Sequence, residues 1–213
     1  MSTRSQKQFM SEQISYWVDS NYIIRKVDIN WDNQMGPDSW SIRASSKAIL
    51  GKPLFEFIAD DVTRMFVGAI LDSVRVLPRT LTRPYRCDSP DAKRFMQMTV
   101  SPEANGLIKV SHELIRSEPL AQEILFKTVQ GSNGRVRGVL PSLNISHFER
   151  PYKWIRCSLC NRLQDPDNKH WQEVDQLQST MRLNDQPIPV IYGVCPNCID
   201  SMHNIIVHDF NLQ

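Results

Sequence analysis

The chain has no histidine before His112, no long apolar run and no excess of either charge. A bilayer-spanning helix needs about 20 consecutive apolar residues, and the longest apolar runs here are only a few residues, so no membrane partner is expected. The stretch from Met1 to Ser15 is polar and lacks the apolar segment of a signal peptide. A cytoplasmic location is the matching expectation. With 25 basic and 23 acidic residues, the chain lacks the whole-protein field that nucleic-acid binders usually show, which disfavours nucleic acid as a partner. Catalytic patterns are missing too. No Ser-His-acid order or paired-carboxylate setting can be built, and Gly131-Ser-Asn-Gly-Arg135 is too short for a phosphate-cradling loop and lacks its Lys-Ser/Thr ending. The expectation is a protein that is not an enzyme.

What is present is a chain of 213 residues, 41% apolar, enough to bury one medium core or two small ones without disulfides. Five cysteines are an odd number for a disulfide scaffold. Four of them form two C-x-x-C pairs, Cys157 with Cys160 and Cys195 with Cys198. Each pair can bend into a knuckle that presents two thiolates about 2.3 Å from one ion. Two knuckles complete a tetrahedron, so Zn2+ is the expected cofactor, with no open coordination position for catalysis. A reducing compartment suits that use of cysteine. The same spacing also serves a reversible dithiol switch, an iron–sulfur cluster or a catalytic thiol, and these stay open. The 34 residues between Cys160 and Cys195 are long for a plain ribbon, and a helix and a strand are expected within them. A segment of this size is not expected to build an adequate core alone, so bound metal would supply folding free energy on the order of 10 kcal/mol.

Three regions follow from patterning: 1–119, a connector over 120–150, and 151–213. In the first, Ile14 to Asp28 gives two β-prone runs split by Asp19-Ser20-Asn21, a turn composition that favours a hairpin. From Asp60 to Leu77, the residues Val62, Met65, Phe66, Ala69, Ile70 and Val74 recur at helical spacing. Three strands are then expected, Arg83 to Cys87, Arg94 to Ser101 and Leu107 to Ser117, with Asn105-Gly106 marking a tight turn between the last two. The connector is interrupted by Gly131, Gly134 and Gly138, with one short helix before Gly131. In the last region Trp171, Val174, Leu177 and Met181 stand at helical spacing, Ile188 to Val194 reads as a strand, and a final helix carries Ile199, Met202 and Ile206.

On Val18-Asp-Ser-Asn-Tyr-Ile-Ile24 and Ile49-Leu-Gly-Lys-Pro-Leu-Phe-Glu-Phe-Ile58, the first region resembles a PAS domain, over about half the chain. The segment around Pro84-Tyr-Arg-Cys-Asp88, taken with the C-terminal cysteines, looks like small bacterial PAS-type proteins. The resemblance implies an α+β fold: a five-stranded antiparallel sheet cupping a ligand-sized cavity behind covering helices, plus a small zinc-binding C-terminal module. It also implies a sensor or adaptor that binds a small ligand or a protein partner, or self-associates as a homodimer. Haem is disfavoured because no histidine lies on the long helix, and photoreactive flavin because no Asn-Cys-Arg-Phe-Leu-like segment occurs. By strand alternation His112 shares a face with Ile108, Val110 and Leu114. It is a candidate cavity residue or a satisfied core histidine. Cys87, Tyr85, Met96 and Met98 are further candidates for an unidentified ligand, with core packing the plainer reading of each.

The C-terminal piece is similar to a cysteine module found on bacterial PAS and response-regulator proteins, in its basic Arg162, its Trp171 and its Gly193. Those modules commonly carry His-Gly where this chain has Tyr192-Gly193, a departure that touches no ligand. Arg156 and Arg162 flank the first pair and could stabilise thiolates or touch phosphate. The segment from Ala121 onward holds nine basic and nine acidic residues, which favours a solvated face. Arg75, Arg79, Arg83, Arg86, Lys93 and Arg94 concentrate charge around the third strand, as an anion or partner surface or as ordinary exposure. Two alternatives to the sensor stand beside it: a zinc-dependent nucleic-acid-associated regulator and a thiol-based redox sensor.

Overall fold

The structure is a computed structural model and describes residues 13–34, 45–58, 61–128, 154–177 and 187–202. Among the described residues the protein is mixed α+β, with two five-stranded sheets and few helices. It divides into two compact units, one made of Met1–Phe57, Ala69–Pro84 and Phe95–Arg116, the other of Ile58–Gly68, Tyr85–Arg94 and Ser117–Gln213. Among the described residues no helix is long and apolar enough to cross a membrane.

The first unit begins with β1 (Gln13–Val18) and β2 (Ile24–Val27), paired antiparallel. Asp19 makes the turn. Its Oδ1 accepts the backbone N–H of Asn21 and of Ile23, each at 2.9 Å, and its Oδ2 pairs with Arg25 at 2.7 Å. A short aspartate that caps its own following backbone is what this turn needs. Tyr22 takes the left-handed conformation, φ 60°, and is held there by long-range contacts. Its hydroxyl donates to Asp72 at 2.7 Å, its ring packs on Phe55, and Arg75 lies 4.5 Å over its ring centre.

Short helices α1 (Trp31–Gln34) and α2 (Ser46–Ile49) and a 3-10 turn (Leu54–Phe57) precede the 16-residue helix α3 (Asp61–Val76). The buried stripe of α3 is Ile70, Leu71 and Val74. Met65, expected on the apolar face, is 75% exposed, and Ala69 is exposed as well. The helical period was readable, but the face it presents inward is set by what packs on it, and Leu71 sits at its centre. After α3 come β3 (Leu81–Arg86), β4 (Ala92–Pro102) and β5 (Ile108–Pro119). The sheet order is β2-β1-β5-β4-β3. Between β4 and β5, Gly106 has φ +79° and Asn105 Oδ1 accepts the N–H of Leu107 at 3.1 Å, so the Asn-Gly pair acts as the turn signal implied. The core collects Val18, Ile24, Ile70, Leu71, Val74, Val100 and Val110. On the sheet's other face Ser15 stands opposite Ser111, their buried hydroxyls 3.0 Å apart.

The second unit contains β6 (Phe126–Thr128), β7 (Trp154–Cys157), β8 (Leu163–Gln164), β9 (Trp171–Gln172) and β10 (Ile188–Gly193), in the order β6-β10-β7-β8-β9. β10 runs parallel to both β6 and β7, whereas β8 is antiparallel to β7 and β9. Where a short helix was expected before Gly131, the described residues form β6. The stretch 131–138 lies outside the described residues. The expected helix through Trp171 also differs. Asp165 closes a turn, accepting the N–H of Asp167 at 2.7 Å, and Trp171 is drawn into β9, with the helix α4 (Val174–Leu177) starting after it. Met181 lies outside the described residues.

This unit is not coreless. Ile124, Trp154, Leu163, Val174, Ile188 and Val190 pack together, with Leu120 and Phe126 against them. Sequence reasoning missed this core because Ile124, and Leu120 and Phe126 packed against it, come from the stretch read as a connector.

Candidate metal centre

Strand direction brings the cysteine pairs together. β7 and β10 are parallel and in register with Gly193 opposite Cys157, so both strands end at the same edge of the sheet. Cys195 follows two residues later. The close approach accounts for Gly193: a Cβ there would stand 3.0 Å from Ile155 Cγ2, and the Gly193 carbonyl accepts the N–H of Ser158 at 2.9 Å.

The first pair sits on a knuckle between β7 and β8. The Cys157 N–H donates to the Arg162 carbonyl at 2.8 Å, and the Asn161 N–H donates back to the Cys157 carbonyl at 2.9 Å. Asn161 completes the reversal with φ 58°, a conformation asparagine tolerates better than most side chains. The second pair opens α5, a helix over 196–202. Pro196 occupies its first turn, where a missing N–H costs nothing. The Cys195 carbonyl accepts the N–H groups of Cys198 and Ile199, each at 3.0 Å. Ile206, expected on this helix, lies outside the described residues.

The four sulfurs of Cys157, Cys160, Cys195 and Cys198 all lie within 4.8 Å of one another, with Cys157 and Cys195 buried. Cys160 Sγ and Cys195 Sγ are 3.6 Å apart, and the Cys195 N–H points at Cys157 Sγ at 3.4 Å. This cluster can hold a metal ion. Its donors are four sulfurs, the set preferred by soft or borderline ions.

Arg162 completes the surroundings. Its Nε donates to Cys160 Sγ at 3.3 Å and its Nη2 to Cys195 Sγ at 3.5 Å. The solvated face expected for Arg162 is therefore replaced by a guanidinium shared between two sulfurs. Its position two residues past the second cysteine of the knuckle was the available signal. The sulfurs divide their protons unevenly. Hydrogen bonds from the Cys157 and Cys198 thiols, together with Arg162, hold Cys160 far below the usual thiol range. Donation to Cys160 pushes Cys157 up to about 11, and donation to Cys157 and Cys160 raises Cys198. Four crowded sulfurs thus compete for their protons, and a cation among them would favour the thiolate of each.

No protein-family model matches the chain, and no curated protein matches it.

The candidate ligand residues divide between the units. In the first, Met96 and Met98 are buried on β4, and His112 on β5 is half-buried, stacked on Tyr16 with ring centres 5.7 Å apart. Burial pushes His112 down to about 4, so its imidazole is neutral at neutral pH. In the second, Tyr85 is half-buried on β3 and Cys87 is exposed just beyond it.

The charge expected around the third strand is also split. Arg86 is buried, its Nε and Nη2 gripping Asp88 at 3.1 and 2.5 Å and its Nη1 on Glu173 at 2.6 Å. Lys93, also buried, donates to Asp175 at 2.6 Å. These cations are internal structure rather than an exposed surface.

Proposed function

We propose that this protein is a PAS-type sensory or adaptor protein whose four-cysteine cluster holds one structural Zn2+. The observation that carries the metal assignment is the convergence of all four sulfurs within 4.8 Å. Four protein donors fill a tetrahedron, so the ion would stabilise rather than catalyse. The Arg162 guanidinium would offset part of the negative charge that four thiolates leave on a divalent ion. Support for the sensory reading comes from the sheet order β2-β1-β5-β4-β3 with its helices between β2 and β3, and from the neutral, half-buried His112 near the buried Tyr16. A cytoplasmic setting and signalling through a protein partner or a homodimer belong to the same proposal.

Elemental analysis of the purified chain tests the metal, with one zinc per chain expected and its loss in Cys198→Ala. Iron, or no metal at any purity, overturns it. Native mass spectrometry after gentle purification tests the sensory part, which fails if the chain carries neither ligand nor partner and forms no dimer.

One observation favours a thiol switch instead. The 3.6 Å contact joins Cys160 to Cys195, across the pairs rather than within one. On that reading peroxide yields a mapped Cys160–Cys195 disulfide in a chain purified without metal.

A further inference from the structure

The four sulfurs of the cluster are the same donor in unlike surroundings. Cys157 and Cys195 are shut off from solvent, at 0% and 1% exposure, whereas Cys160 and Cys198 are partly exposed. What flanks the two partly exposed residues also differs. Cys160 lies between half-buried Leu159 and buried Asn161, while Cys198 lies on α5 between exposed Asn197 and exposed Ile199. By access, Cys198 is the more open of the pair.

Hydrogen bonding divides the sulfurs in the same sense. Arg162 Nε donates to Cys160 Sγ at 3.3 Å and Nη2 to Cys195 Sγ at 3.5 Å, and the Cys195 N–H points at Cys157 Sγ at 3.4 Å. Among the described residues Cys198 Sγ receives no N–H. The charge of Arg162 reaches Cys198 as well, but its N–H groups end on the other two sulfurs. Contacts through S–H disappear once a metal is bound, because a ligating cysteine is a thiolate, and the N–H donors remain. A hydrogen bond to a thiolate lowers its basicity and with it its intrinsic nucleophilicity. The sulfur without such a bond is therefore the strongest nucleophile of the four.

We propose, on the footing of the zinc assignment above, that Cys198 is the reactive ligand of the cluster, the residue at which an α,β-unsaturated carbonyl compound modifies the metal-loaded protein and loosens its ion. In that step the Cys198 sulfur bonds to the β-carbon and the C=C π pair moves onto the α-carbon and carbonyl as an enolate. Water then protonates the α-carbon and leaves hydroxide. The sulfur becomes a neutral thioether, which no longer serves a site built from thiolates, and three thiolates remain. Arg162 holds the other partly exposed sulfur, Cys160, back from the same reaction.

The test uses the full chain with its zinc content measured first, then treated with limiting N-ethylmaleimide. Labelled positions are read by peptide mapping and released zinc by a colorimetric chelator. Cys87, exposed and outside the cluster, labels independently and serves as the reference. Within the cluster Cys198 should label at least about tenfold faster than Cys160, the worth of one hydrogen bond to a charged group, and one zinc should leave per Cys198 adduct. Arg162→Gln, which removes the guanidinium donors, should narrow that ratio by raising the rate at Cys160. First labelling at Cys160, even labelling of all four, zinc release ahead of labelling, or an unchanged ratio in a zinc-loaded Arg162→Gln overturns the proposal. The order in the parent chain decides by itself if the variant fails to hold zinc. A chain purified free of zinc overturns the metal assignment and this proposal together, and the zinc measured before any reagent is added tells that failure apart from the others.

Discussion

The two units hold themselves together by different physics. The first is an apolar core in which Val18, Leu71, Val74 and Val110 are shut off from solvent, with one hydroxyl pair, Ser15 and Ser111, as its buried polar contact across β1 and β5. The second has a smaller apolar cluster around Trp154, Leu163 and Val190, and adds a buried ionic network and four converging sulfurs. Burial is non-directional and tolerates substitution of similar shape. Ion pairs and sulfur ligands are directional and fail when one partner is lost. The first unit should therefore weaken gradually under mutation, and the second abruptly.

Metal removal is the largest expected break in that comparison. Chelation, or Cys157→Ala, should cost the second unit on the order of 10 kcal/mol. Hydrogen exchange should then lose protection in β7 and β10 while β1 and β5 keep theirs. Equal loss in both sheets would erase the distinction drawn here. Next comes Asp88→Asn, which strips Arg86 of its two-point partner inside the protein. A loss of about 3–5 kcal/mol is expected in denaturant titration, and zinc retention should fall with it. Leu71→Ala, at a fully buried site in the first unit, should cost about 2–5 kcal/mol through the cavity it leaves, with metal content unchanged.

The smallest effect concerns pH. His112 binds its proton at about 4 in the fold and near 6.5 when unfolded. The unfolded chain therefore holds more protons between these values, and stability rises with pH across that window. It is fully present above about 6.5 and is lost as pH falls toward 4. The contribution is at most about 3 kcal/mol, and His112→Phe should flatten the slope in unfolding curves measured from acid to neutral pH.

Local chemistry was legible, and distant pairing was not. Asp19 and Asn105-Gly106 announced their turns because the side chain and backbone that make each turn lie within a few residues. The order of two strands, short helices and three strands followed from periodicity of similar range. The cysteine spacing likewise pointed to a four-sulfur site. By contrast, β6 pairs in parallel with a strand about 60 residues away along the chain, and parallel strands have no tight turn between them to betray the partner. Arg86 reads as a surface arginine until Glu173 is brought to it. Met65 fits a helical apolar face by spacing, yet the face that packs is the one through Leu71.

The amino-acid sequence by itself determined the turns, the strand-rich first region and which four sulfurs were available to one ion, because these depend on neighbours or on a short fixed spacing. The tertiary structure alone decided that β7 and β10 end side by side, that Arg162 bridges two of those sulfurs, and that the buried Arg156 guanidinium rests on the ring of Phe126. Each of these is a meeting of groups far apart in the chain, and only the packed register of strands sets the distance between them.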